Sequence, residues 1–188
     1  MKPSVKEMLQ EHIPYRLTHL NGLVWASENL LGGYRPQSVI IQFDGRDVVS
    51  CSSFYLITNP LFEVGILYCR VLLEFLGIQH VKTGTKLVAI IKRRYPDDFG
   101  IEHFGLSLVT IPQLLSAPFG DPENIKRAII ATLVSADKGV AHFTTGDTSR
   151  AYAANSLLCA KVVIWSVEKY VYQALKKSTP RYRRWTPA

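Results

Sequence analysis

A mainly α fold, an antiparallel bundle of four to five helices carrying a small irregular or β-hairpin insertion, is predicted by three features of the 188-residue sequence. Apolar residues recur at helical spacing towards both ends, an almost wholly apolar segment lies between them, and β-branched residues gather in one stretch near residues 38–50. With 47% hydrophobic residues the chain can bury a sizeable core, and we read 1–188 as a single helical domain with a basic tail from about residue 176.

Each element follows from local chemistry. Ile13, Leu17, Leu20, Val24 and Leu31 repeat at helical spacing behind Pro14, a residue suited to a first helical turn, and Gly32-Gly33 ends that helix. "SVIIQFDGRDVVS" sets two β-branched runs around Asp44-Gly45, a hairpin signal. Asn59-Pro60 supplies a cap and a first-turn proline for "LFEVGILYCRVLLEFLGI", apolar nearly all round and so expected to be the central, most buried helix. Its charges Glu63, Arg70 and Glu74 are spaced by seven and four and share one stripe, so they pair with each other or line a polar cleft.

Between Gly77 and Gly120 the periodicity weakens: "KLVAIIKRR" fits a strand or a helix, and "YPDDFGIEHFG" reads as a loop. Asp121-Pro122 opens the next helix, with a stripe of Ile125, Ile129, Leu133 and Ala136 and with Ile130, Val134 and Asp137 beside it. Asp137 is thereby off the solvent face. The last helix, from about Ser149 to Lys177, is expected to bury Leu157, Leu158, Ile164, Trp165, Val171 and Leu175.

Composition narrows the function classes. A formal charge of +7 and a pI near 9.4 favour polyanions, and part of the excess lies in "KKSTPRYRRW", a solvated tail or a phosphate-contacting arm. The N-terminus lacks the apolar core of a secretory signal, and Leu61–Ile78 is interrupted by Glu63, Arg70 and Glu74, so no membrane association is expected and the cytoplasm is the expected compartment. Cys51, Cys69 and Cys159 are odd in number and far apart, and the last two lie among aliphatic residues, which suits buried thiols in a reducing compartment. Asp97, Asp98, Glu102 and His103 are residue types for a hard metal, but their spacing does not support a site; no metal and no cofactor is expected.

"CRVLLEFLGI" on the central helix, followed about seventy residues later by "DKGVAHFTT" at a helix end, resembles the HEPN-like helical families and their abortive-infection relatives. The resemblance covers about residues 60–150. It implies a helical bundle, frequently a homodimer, with the two motif helices facing a shared cleft. In catalytic members of the wider group, a metal-independent ribonuclease uses a histidine to move the ribose hydroxyl proton and an arginine to hold the scissile phosphate. His142 matches that histidine. The positions four to six residues before it hold Lys138, Asp137 and Ala136 and no arginine, so the cation would come from Lys138 or Arg70.

The candidate catalytic pair is therefore His142 and Arg70, with Lys138, Glu74, Asp137, Thr144 and Arg150 as candidate binding residues. "DKGVAHFTTGDTSR" is equally consistent with a helix end, where His142 and Lys138 meet the helix dipole and the threonines cap the next helix. Three function classes follow: an RNA-binding or RNA-cleaving domain of a defence or toxin system; a noncatalytic domain that dimerises or docks a protein partner; and a metal hydrolase built on the Asp97–His103 loop.

Overall fold

The computed structural model describes residues 4–34, 36, 38–81, 86–91, 95, 98–137 and 150–179, the side chains of residues 150 and 151 excepted. The chain turns helical at Ser4, whose hydroxyl accepts from the Glu7 amide at 3.2 Å while the Glu7 carboxylate accepts from the Ser4 amide at 2.7 Å. α1 (Val5–Glu7), a π-helical turn (Met8–His12) and α2 (Ile13–Leu31) then follow without a break. Pro14 thus lies inside a helix rather than at its start. Proline has no amide proton and its ring crowds the preceding turn, and the turn ahead of it is the widened one.

β1 (Val39–Phe43) and β2 (Arg46–Cys51) form the expected antiparallel hairpin. Asp44 and Gly45 take φ of 50° and 75°, the left-handed backbone that a two-residue turn between right-twisting strands requires. α3 (Tyr55–Leu76) begins ahead of Asn59-Pro60, because the Ser53 hydroxyl accepts from the Tyr55 amide at 3.3 Å and starts the helix earlier. Pro60 then costs one hydrogen bond in the second turn.

Downstream, Gly77 ends α3 with φ 100° and turns the chain into β3 (Ile78–His80), which pairs antiparallel with β4 (Leu87–Ala89). That second short ribbon settles the strand-or-helix ambiguity of "KLVAIIKRR" for its first residues. A 3₁₀ turn (Ile101–Phe104) and α4 (Ile111–Leu115) lead to α5 (Pro122–Ser135). The Asp121 carboxylate accepts from the Asn124 amide at 2.9 Å, as an N-cap should. α6 (Arg150–Val167) runs into a second π-helical turn (Glu168–Gln173).

One hydrophobic core, from Leu9 to Tyr172, joins these helices. α2 packs on α3 and α6, and α5 packs on α3 and α6. α3 buries Phe62, Ile66, Cys69, Leu72, Leu73 and Leu76, yet Leu56 is 60% exposed and Val71 39%. Within Leu61–Ile78 only Glu63 and Val71 are exposed, so that stretch is the well-covered part of α3, and Leu56 lies in the turn ahead of it. Among the described residues α3 is the helix long and apolar enough to cross a membrane. α6 departs from expectation: its inward face is the small-residue row Ala153, Ser156, Cys159, Ala160, Val163 and Val167, while Leu157, Leu158, Ile164 and Trp165 are only half-buried. Small side chains let the helix axes approach, and the larger residues close the flanks.

The two π-helical turns are tied together. The Tyr172 hydroxyl donates to the Leu9 carbonyl at 2.8 Å in the interior, and burial pushes its phenol up from the ordinary value. Tyr172→Phe should strand that carbonyl and cost about 1–2 kcal/mol in urea unfolding. An unchanged midpoint would show that the bond contributes nothing.

The thiols divide by burial. Cys69 and Cys159 are fully buried where α3 meets α6, and burial, with a hydrogen bond to Cys159, pushes the Cys69 thiol well up. Cys51 is half-exposed. Alkylation of the native protein should therefore modify Cys51 first and reach the other two only on unfolding, as peptide mass mapping over time would show. Rapid labelling of Cys69 would contradict this packing.

Candidate functional site

Arg70 is where the charged stripe of α3 becomes tertiary structure. Its Nε donates to Glu74 Oε1 at 2.9 Å, one helical turn on, and one terminal nitrogen donates to Asp137 Oδ1 at 2.6 Å, from the end of α5. His80 completes the group, with Nε2 3.2 Å from Asp137 Oδ2. The stripe thus both pairs internally and faces a polar junction. Glu63 is exposed and shares in neither arrangement.

Local structure fixes each position. Arg70 and Glu74 lie four apart on one helical face. Asp137 follows Ala136 in a wider, π-type continuation of α5, which carries its carboxylate past the buried stripe ending at Leu133 and Ala136. His80 is delivered by the Gly77 turn, held by hydrogen bonds from the Ile90 amide to the Gly77 carbonyl at 2.8 Å and from the Val109 amide to the Leu76 carbonyl at 2.9 Å. A Cβ at Gly77 would meet Leu108 Cδ2 at 2.9 Å, so both the φ and the space call for glycine.

Electrostatics decide what the cluster can do. The hydrogen bond to Glu74 raises the Arg70 pKa, partial burial opposes this, and the Glu74 and Asp137 charges add to the rise. The guanidinium is therefore permanently charged and doubly engaged. Because a carboxylate oxygen can only accept, His80 Nε2 is the nitrogen that donates to Asp137. The His80 side chain is only 10% exposed, against 35–41% for Arg70, Asp137 and Glu74. That makes His80 a positioning group, able to hold Asp137 but not to approach a ribose. A phosphate entering here would compete with two carboxylates for Arg70.

Of the expected site residues, Arg70, Glu74 and Asp137 come together. Lys138, His142 and Thr144 lie outside the described residues, as does the Arg150 side chain, although Arg150 itself opens α6. Sequence reasoning missed His80. Its signal was the alternation in "GIQH" behind a helix-ending glycine, with Ile78 buried, Gln79 exposed and His80 turned back in. In the Asp97–His103 loop, Asp97 lies outside the described residues, Asp98 accepts from the Tyr95 amide at 2.9 Å, and His103 Nδ1 faces Gly100. Among the described residues no three His, Cys, Asp or Glu side chains converge as a metal site would need.

No family model, curated protein or solved structure matches the chain.

Proposed function

We propose that this is an HEPN-like helical domain of a defence or toxin system that acts on RNA at the junction of α3 with the end of α5. The observation that carries the reading is the 2.6 Å contact between Arg70 and Asp137. It joins the arginine of "CRVLLEFLGI" to the first residue of "DKGVAHFTT", the two segments on which the family resemblance rests. The net charge of +7 favours a polyanion, and the reduced thiols suit the cytoplasm. Cleavage without a metal needs a base for the 2′-hydroxyl proton and a cation on the phosphate. His142 takes the first role, and Arg70 with Lys138 the second.

Purified protein mixed with end-labelled single-stranded and duplex RNAs in the presence of a chelator tests both parts. Binding that weakens steeply with salt supports the RNA reading. Products ending in a 2′,3′-cyclic phosphate support the ribonuclease. Absence of binding to every RNA at low ionic strength overturns both.

A second reading, a noncatalytic domain that forms homodimers or docks a protein partner, has its own observation. Ile40, Phe43, Val48 and Val49 on the hairpin are 42–64% exposed, and Tyr55 and Leu56 follow at the start of α3. Sedimentation as a dimer by the parent and as a monomer by Phe43→Ser, with RNA binding absent, favours that reading.

A further inference from the structure

A separate concentration of chemistry lies on the other side of α3 from Arg70. Tyr68 and Arg70 are two residues apart and so point about 200° apart around the helix. Tyr68 meets α2 at Tyr15, Arg16 and His19, and His12, at the end of the π-helical turn, precedes them by three, four and seven residues on the same side of the continuous helix. The Tyr15 and His19 rings are 4.6 Å apart at 74°, and Tyr15 and Tyr68 are 5.9 Å apart at 77°. His19 and Tyr68 are 5.3 Å apart. The Arg16 guanidinium lies 5.5 Å from the centre of the Tyr68 ring and is anchored by donating to the His12 carbonyl at 2.8 Å.

Three aromatic rings and a guanidinium are thus assembled on this face. Tyr15 remains 56% exposed despite two edge-on ring contacts. Its neighbours hold the ring in place while more than half of its surface stays accessible, which a planar ligand can use. Burial lowers the His19 pKa, so at neutral pH it serves as a ring rather than a charge. Arg16 supplies donors beside the Tyr68 ring, and the exposed His12 lies one helical turn before Arg16.

We propose that His12, Tyr15, Arg16, His19 and Tyr68 form a stacking site for an unpaired base of single-stranded RNA, with Arg16 beside its phosphate. The inference rests on the RNA reading above but uses a different surface. Every base has a π-face, so such a site tolerates sequence and discriminates against duplexes, whose bases are already stacked.

The test is fluorescence anisotropy of the full chain with labelled oligoadenylate of roughly twelve nucleotides, alongside a duplex of equal length. Tyr15→Leu should weaken single-strand binding about tenfold, Tyr15→Phe should stay within about twofold of the parent, and duplex binding should not change. Arg16→Gln should weaken binding and flatten its salt dependence, an independent readout if Tyr15→Leu unfolds. Parent-like binding by Tyr15→Leu, with loss in Arg70→Gln, overturns the stacking site and leaves the RNA reading standing. Loss in Tyr15→Leu with parent-like binding in Arg70→Gln supports the stacking site and overturns the Arg70 site. A parent that binds no RNA overturns both, and a Tyr15→Leu change that alters only sedimentation marks this face as a protein interface instead.

Discussion

Gly65→Ala should destabilise the protein by about 2–3 kcal/mol, although alanine is the better helix former. A Cβ at Gly65 would meet Leu23 Cδ2 at 3.0 Å and the Leu23 Cβ closer still. Leu23 is fully buried where α2 crosses α3. Flexible side-chain ends can rotate away from a clash, but a Cβ cannot, so the two helices would have to separate. Intrinsic propensity alone would make the same change stabilising by about 1 kcal/mol. The two effects therefore have opposite signs, and urea unfolding distinguishes them directly. Leu23→Ala shortens the neighbour but keeps its Cβ, so in combination with Gly65→Ala it should not restore the parent stability. A stabilised Gly65→Ala variant would show that α2 and α3 do not meet as described.

Arg70→Ala should abolish RNA binding or cleavage while lowering stability by only about 1–2 kcal/mol. The stability cost arises because Glu74 and Asp137 lose their shared cation, and it is discounted because the Arg70 side chain is 35% exposed. The functional cost is larger, since among the described residues no other lysine or arginine pairs with Asp137. His142→Ala should reduce cleavage by roughly 10²–10⁴-fold, the usual contribution of a positioned acid or base. Joining it to Arg70→Ala should cost little more than either change alone, as for groups that act together. His80→Ala should be milder and should act through Asp137, because the imidazole is nearly covered. Asp137→Asn separates the roles further: relieving a competitor for Arg70 should tighten RNA binding severalfold. Arg70→Ala and His142→Ala variants that fold and bind RNA like the parent would remove this site from the proposal and leave "DKGVAHFTT" as a helix end.

The sequence by itself determined the features whose causes lie within a few residues. The Asp121 cap, the left-handed Asp44-Gly45 turn and the apolar stripe of α5 all follow from neighbours along the chain, and all stand in the structure. So does the mainly helical class with a two-stranded hairpin. Local signals erred where two of them competed. Pro14 and Pro60 each resemble a helix start, but the chain turns helical earlier, at the Ser4 cap in one case and at Tyr55, behind Phe54, in the other, and each proline is accommodated inside. Periodicity also selected the large residues of α6 as its core face. Close packing against α2 and α5 instead turned the small ones inward, since only they allow the approach.

Tertiary structure alone decided the site. Glu74 could be assigned to Arg70 from their spacing on one helix. Asp137 is 67 positions away, and the pairing exists because α5 packs on α3 and its end lies beside Arg70. His80 carries no motif of its own. It reaches Asp137 because Gly77 reverses the chain, β3 pairs with β4 and the end of α5 lies beside them, and only the last of these joins residues far apart in sequence. Helix starts and turns are local competitions between a few backbone conformations, whereas a side-chain cluster is a sum of separate packing decisions. Each of those is favourable only after the rest of the core has formed.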